Sequence, residues 1–427
     1  MNLECHPDRP VTPNAQLRGL RGLLGALRQG NRFYRARLEA AQLDEHIEDL
    51  AQFTSRMPLT TKDELVADQC DHPPYGTNLT FDLNRYCRFS QTSSTTAAPL
   101  RWLDTAESWS SLLDNWDQVF EACGVAAGQR IFFAFSFGPF LGFWTAFEAA
   151  LRRSCLCIPG GGMSSLARLH VMIDNRVTAL CCTPTYAIRL GEVARQEGLD
   201  LQGLDLRAIV VAGEPGGSVL ATRAAIERRW PGATVYDHHG MTEVGPVSFQ
   251  CPVGAGTLHI IEPAYLTEVI DPESLQPVDP GGTGELVLTT LDRVASPLLR
   301  YRTGDLVRLA AAPCRCGRSG TALEGGILGR LDDMVLVRGV NVYPSAVDQV
   351  VRACGGVAEY RVEVTTGRGL TELHVQIEPD EACPSATTLC ERLEHDLRDA
   401  FQLRIPVSSV DALPRFEMKA RRWLKRS

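Results

Sequence analysis

The chain has no excess of positive charge, no internal repeat and no low-complexity tract. It carries 43 Lys+Arg against 51 Asp+Glu, a net charge of −8. The bulk charge therefore offers no basic surface for a nucleic acid. An apolar run long enough for a membrane is also missing. Residues 131–147 are free of charge, but they fall short of the roughly 20 residues a spanning helix needs, and Gly138-Pro139 interrupts them. They read instead as a buried strand (131–135), a tight turn and a core-facing helix (141–152). No secretory leader is recognisable, because Met1 to Asn14 is polar and proline-broken. The fourteen cysteines are accordingly expected to be reduced thiols in the cytoplasm. Clustered ones are metal candidates before disulfide candidates.

What is present has an ordinary globular balance, with 44% hydrophobic and 22% charged residues. A length of 427 residues suggests two or three domains at about 150 residues each. The leucines of the basic segment 18–38 recur at near-helical spacing and predict a surface helix with a solvated basic face. From 130 to 236, strand-like runs (131–135, 155–159, 179–183, 208–212) alternate with helical ones (141–152, 165–176, 186–196, 219–229). Such alternation implies a mostly parallel sheet with helices on both faces and ligands at the carboxyl ends of its strands. Beyond Thr234, segments 267–270, 284–290 and 305–309 read as strands of a small β-rich unit. The last hundred or so residues carry strands at 334–337, 359–365 and 372–378 and helices at 345–353 and 386–400, enough for a domain of its own. The division falls near Gly329-Arg330, giving domains 1–328 and 329–427.

Seven segments stand out. They are Met57-Pro58-Leu59-Thr60-Thr61-Lys62-Asp63-Glu64-Leu65, Thr92-Ser93-Ser94-Thr95-Thr96-Ala97-Ala98-Pro99, and Ala212-Gly213-Glu214-Pro215. Next come Tyr236-Asp237-His238-His239-Gly240-Met241-Thr242-Glu243 and Tyr301-Arg302-Thr303-Gly304-Asp305-Leu306. The last two are Gly329-Arg330-Leu331-Asp332-Asp333 with its sequel to Pro344, and Leu413-Pro414-Arg415-Phe416-Glu417-Met418-Lys419-Ala420-Arg421. Singly, each is also ordinary chemistry: a capped helix start, a polar loop, a βα turn, a basic tail. An eighth constellation joins Cys251 and His259 to Cys314-x-Cys316. Three thiolates and an imidazole can close a tetrahedral zinc site, and four protein ligands leave no open position, so such a zinc is structural. Buried, inert cysteines are the alternative.

In their order, the seven motifs resemble the adenylate-forming enzymes (acyl-CoA synthetases, nonribosomal adenylation domains and luciferases). They are most similar to the phenylacetate–CoA ligase branch, whose zinc-holding members are also similar around the cysteines. The resemblance runs from Met57 to Trp423. It implies a large α/β N-terminal domain with mostly parallel sheets and a small β-rich subdomain, followed by a small mobile α+β C-terminal domain. The hydroxyls of Thr92, Ser93, Thr95 and Thr96 would wrap the β- and γ-phosphates of ATP. Here the chain departs from the family: Ser94 and Ala97 occupy usual glycine positions, and Leu100 stands where lysine is common. Gly213 and Glu214 would pass against the adenine, Asp237 would face its amino group, and His238 would also belong to the nucleotide site. Thr242 would contact the α-phosphate and Glu243 would hold Mg²⁺. Asp305 and Arg330 would bind ribose, Asp332 would be the domain hinge, and Lys419 would enter the active site during adenylation. Phe137 and Phe140, with His239 and Met241, would line the pocket for an aromatic acid.

The implied reaction is ATP-dependent formation of an acyl-adenylate with release of pyrophosphate. Transfer to a thiol of CoA or of a carrier protein follows. The alternatives are a non-thiol acceptor or a non-catalytic binding protein on the same fold. A homodimer is compatible with this reading, and no nucleic acid or membrane is implied as a partner.

Overall fold

The computed structural model describes residues 13–92, 99–367, 370–416 and 420–426. The basic leucine-rich segment forms two helices, α1 (Pro13–Gly30) and α2 (Arg32–Ala41). They divide where a side chain at Gly30 would strike the Thr80 carbonyl oxygen at 2.0 Å. Asn31 then caps α2 by accepting the Tyr34 N–H at 3.0 Å. The basic residues leave the leucine stripe free to pack. Leu20, Leu23, Leu24 and Leu27 are buried against Leu291 and Leu299 of the β-rich region. Helix α3 (Leu50–Arg56) precedes α4 (Lys62–Asp71), whose expected capped start is a capping box between Thr61 and Glu64.

Strands β1 (Tyr86–Gln91) and β2 (Arg101–Thr105) pair antiparallel and lead into α5 (Ala106–Ala122). The central sheet is parallel throughout. Its strands are β3 (Arg130–Phe133), β4 (Leu156–Pro159), β5 (Ala179–Cys182), β6 (Ala208–Val211) and β7 (Thr234–Asp237), in the order β4-β3-β5-β6-β7. Helices α6 (Trp144–Arg152), α7 (Ser165–Asp174), α8 (Pro184–Gln196) and α9 (Leu220–Arg229) make the crossovers. Successive strand side chains point to opposite faces. Ile131, Phe133, Cys181 and Val210 therefore enter one core, and Phe132, Leu180, Cys182, Ile209 and Val211 a second on the other side. Burial on both faces is why these strands read as continuous apolar runs.

A short hairpin, β8 (Gly240–Met241) and β9 (Gly245–Pro246), follows. Next come β10 (Ser248–Gln250), β11 (Thr257–Ile260), β12 (Tyr265–Ile270), β13 (Thr283–Thr290), β14 (Tyr301–Leu309) and β15 (Ala322–Arg330). They form an antiparallel sheet in the order β10-β11-β15-β14-β13-β12. The C-terminal unit begins with the hairpin β16 (Val335–Val337) and β17 (Val340–Val342), then α10 (Pro344–Cys354). Strands β18 (Val357–Gly367), β19 (Leu370–Pro379), β20 (Val407–Ser409) and β21 (Trp423–Arg426), with helix α11 (Ala386–Phe401), complete it. Its sheet runs β20-β19-β18-β21 over a core of its own around Val362, Val375 and Leu393. The α/β class and the separate α+β end match the expectation. Strand β15 was not anticipated, and the expected division at 328/329 falls inside it, just before its last two residues. Among the described residues no helix is long and apolar enough to cross a membrane.

Candidate active site

Asp237 ends β7, at the carboxyl edge of the parallel sheet, and is 8% exposed. Ser218 Oγ donates to its Oδ2 at 2.5 Å, and its own N–H donates to Gln250 Oε1 at 3.1 Å. Burial pushes the carboxyl up from its ordinary value, and the Ser218 hydrogen bond works against that. Glycines admit this packing. A Cβ at Gly217 would lie 2.5 Å from Asp237 Oδ1, and one at Gly326 (φ +65°) would lie 2.5 Å from Ser218 Oγ. The adjacent His238 is buried against Trp116, ring centroids 4.3 Å apart. Its Nδ1 sits 2.6 Å from the Ser248 carbonyl, which can only accept, so Nδ1 carries the proton. Burial drives the imidazole down to about 3, leaving the ring neutral.

Thr242 and Glu243 form the turn between β8 and β9. Arg293, fully buried, donates to the carbonyls of Thr242 (2.8 Å) and Glu243 (3.0 Å). The same guanidinium makes a two-pronged pair with Asp104 at 2.7 and 2.5 Å. Lys62, the first residue of α4, brings its Nζ to 3.5 Å from Glu243 Oε1. None of Arg293, Asp104 and Lys62 was singled out from the sequence. Lys62 stood inside a quoted motif, whereas Arg293 and Asp104 carry no motif and lie 189 residues apart.

The motifs at 301–306 and 329–333 meet through strand register. Asp305 on β14 stands opposite Arg330 on β15. Arg330 Nη1 lies 3.1 Å from Asp305 Oδ1, and its Nε lies 2.8 Å from Asp332 Oδ1. His239 Nε2 faces Asp305 Oδ2 at 2.9 Å. The expected ribose carboxylate is thus held from two sides.

Phe137 is partly buried in an aromatic cluster with Phe135, Trp144 and Phe147, centroids 4.3, 4.6 and 5.3 Å away. Phe140 folds over Gly138, where a Cβ would meet its ring at 2.9 Å. This loop is tied to β1 by the Gln91 N–H donating to the Pro139 carbonyl at 2.7 Å. Met241 packs, partly buried, against the main core. Thr92 is buried, and its hydroxyl accepts the Leu100 N–H at 3.0 Å. Ser93, Thr95 and Thr96 lie outside the described residues, as does Lys419.

Glu214, in the loop after β6, joins the two domains. Its Oε1 accepts the Thr185 N–H at the start of α8 (2.8 Å), and its Oε2 accepts the Ala420 N–H (3.0 Å). Along α8, Arg195 pairs with Glu381 at 2.6 Å, and Glu192 lies 3.8 Å from Arg415. Thr222 on α9 reaches Asp348 on α10 at 3.2 Å.

The four expected zinc ligands converge. Cys251 and Cys314 Sγ are 3.5 Å apart, Cys316 Sγ and His259 Nε2 3.3 Å, and all four ligand atoms lie within 4.8 Å of one another. Bond lengths of about 2.3 Å to sulfur and 2.0 Å to nitrogen imply tetrahedral edges of about 3.3–3.8 Å, so the set fits. None of the other described cysteines is in a disulfide.

A buried carboxylate at a strand end, an Asp305–Arg330 pair across two strands and a C-terminal domain hydrogen-bonded to the adjoining loop are the features of the site. The family model of the AMP-binding enzymes matches residues 44–291, and that of the AMP-binding enzyme C-terminal domain matches 339–426. The chain belongs to this family, in the phenylacetate–CoA ligase branch. It is 32% identical to the phenylacetate-coenzyme A ligase of Thermus thermophilus over 88% of this chain and 84% of that one. It is 31% identical to the enzyme of that name from Escherichia coli over 91% and 88%. Among solved structures, 2-hydroxyisobutyryl-CoA ligase in its postadenylation state, bound to R3-HIB-AMP, superposes with a TM-score of 0.92 at 27% identity, covering 100% and 94%. The thioesterification state of that ligase, with 2-HIB-AMP and CoA, gives 0.72 at 28%, covering 97% and 89%.

Proposed function

We propose that the chain converts a small aromatic carboxylic acid to its acyl-adenylate and then to its CoA thioester. A carboxylate resists nucleophiles because its carbonyl carbon is electron-rich. In the first step a carboxylate oxygen attacks the α-phosphorus of ATP, and the bond to the pyrophosphate oxygen breaks. The protein's part is positioning and charge neutralisation. Asp237 and His238 take the adenine edge, and Asp305 and Arg330 take the ribose. Thr242 meets the α-phosphate, and Lys419 neutralises charge on the oxygens there. Bound at Glu243, Mg²⁺ supplies charge stabilisation to the phosphates. In the second step the C-terminal domain turns at Asp332, and the CoA thiol, losing its proton, attacks the acyl carbon and expels AMP.

The observation that carries the reading is the meeting of four separate motifs around Asp237, Glu243 and Asp305, with the Ala420 backbone bonded to the neighbouring loop. The names of the relatives support CoA as acceptor. The aromatic cluster at Phe137 supports an aryl acid. The quartet of Cys251, His259, Cys314 and Cys316 holds a structural zinc that staples the β14–β15 loop to β11. ATP–pyrophosphate exchange over a panel of aryl acids, phenylacetate included, tests the first step. Product analysis with CoA, a phosphopantetheinylated carrier protein or hydroxylamine tests the second. Acid-dependent exchange that falls about a hundredfold but stays measurable in Lys419→Ala, with a CoA thioester as product, is expected. Exchange with no acid in the panel, or exchange indifferent to Lys419→Ala, overturns the proposal.

A further inference from the structure

Glu214 belongs to a loop expected to flank adenine, yet both of its carboxylate oxygens are engaged elsewhere. One accepts the Thr185 N–H in the first turn of the 13-residue helix α8, where helix polarity favours an anion. The other accepts the Ala420 N–H, on the C-terminal domain and one residue past Lys419. A hydrogen bond to an ionised acceptor is stronger than a neutral one. Thr222 to Asp348 is a second short contact to a carboxylate in this seam, at 3.2 Å, whereas the ion pairs along α8 are weaker anchors. Arg195 and Glu381 are 63% and 74% exposed, and Arg415 stands 3.8 Å from Glu192. Adjacent Cα atoms of a trans chain are about 3.8 Å apart. Ala420 is the chain neighbour of the lysine expected to act in adenylation.

We infer that Glu214 is a positioning residue for the first half-reaction, acting through Lys419 by clamping the Ala420 backbone to the N-terminus of α8. The inference rests on the proposed role of Lys419. It makes Glu214 specific to one orientation of the C-terminal domain, since turning that domain carries Ala420 away. Glutamine at 214 keeps the size and loses the ionised acceptor. Glu214→Asp keeps the charge but is one methylene too short to reach both N–H groups.

The test uses the full chain and the acid giving the fastest exchange. Glu214→Gln lowers the kcat of ATP–pyrophosphate exchange about tenfold, the size of effect expected of a misplaced group, with the KM for ATP changed less than twofold. The ratio of exchange to capture of preformed acyl-adenylate by CoA falls by a similar factor. In a Lys419→Ala background the same substitution adds less than twofold, because two residues acting as one unit are not additive. Glu214→Asp gives the same change in ratio, which keeps the test readable if the glutamine variant folds poorly. A rise in KM for ATP alone, an equal loss in both half-reactions, or an additive loss with Lys419→Ala overturns the inference. Absence of exchange in the unaltered chain, or exchange that ignores Lys419→Ala, overturns the proposed function and this inference with it. Exchange that needs Lys419 but ignores Glu214→Gln overturns this inference alone.

Discussion

At the scale of single residues, Arg293 shapes the site without belonging to any motif. It saturates a buried carboxylate and the two carbonyls that define the Thr242–Glu243 turn. Arg293→Met is expected to lower the free energy of unfolding by about 3–5 kcal/mol, because Asp104 is left charged and alone in the interior. The double variant with Asp104→Leu recovers most of that loss. Urea midpoints decide it, and additive losses would sink the account. His238 offers a pH test. Between about pH 6.5 and 3 the unfolded chain binds a proton at this ring and the folded chain does not. Stability is therefore full above pH 6.5 and falls as pH drops through that window, by at most about 1.4 kcal/mol per unit. His238→Asn should flatten the change in urea midpoint between pH 7.5 and 4.5; an unchanged slope refutes it.

Among the elements, legibility followed burial. Strands β3, β5 and β6 were readable within one or two residues because both of their faces are apolar. Strand β15 escaped, since Leu323-Glu324-Gly325-Gly326-Ile327-Leu328-Gly329 offers neither a continuous apolar run nor clean alternation, and the strand carries register shifts against β14. Long-range register likewise hid the meeting of His239, Asp305 and Arg330, although each residue lay in a quoted motif. Glu214 was legible as a loop residue but not as a bridge, because its partners lie 29 and 206 positions away. Gly326 shows why glycine belongs in β15. Gly326→Ala meets Ser218 and must also hold a left-handed backbone. A loss of about 1–3 kcal/mol in stability and weakened AMP binding are expected, read by urea unfolding and calorimetric titration. Unchanged AMP affinity would separate this glycine from the nucleotide site.

For the whole molecule, the zinc quartet and the domain seam have opposite characters. The quartet joins positions more than fifty residues apart into one closed cluster. About one zinc per chain is expected by elemental analysis. Cys316→Ser should reduce that content and the melting temperature while exchange persists in the cold, because a closed four-ligand site takes no part in the reaction. Purified protein holding no zinc, or a Cys316→Ser variant with unchanged zinc content and melting temperature, would sink the zinc assignment. The seam, by contrast, is made of polar contacts at α8 and α9, of a kind that can be exchanged for water as one domain moves past another. Arg330 closes β15 while its guanidinium touches both Asp305 and Asp332. One side chain therefore sits at the Asp305 pair and at the domain junction together. For anyone recombining domains between relatives, a splice at the visible end of the strand would divide that pair of contacts between two parents. A workable chimera is cut after Asp333, so that Asp305, Arg330 and Asp332 are inherited as one unit.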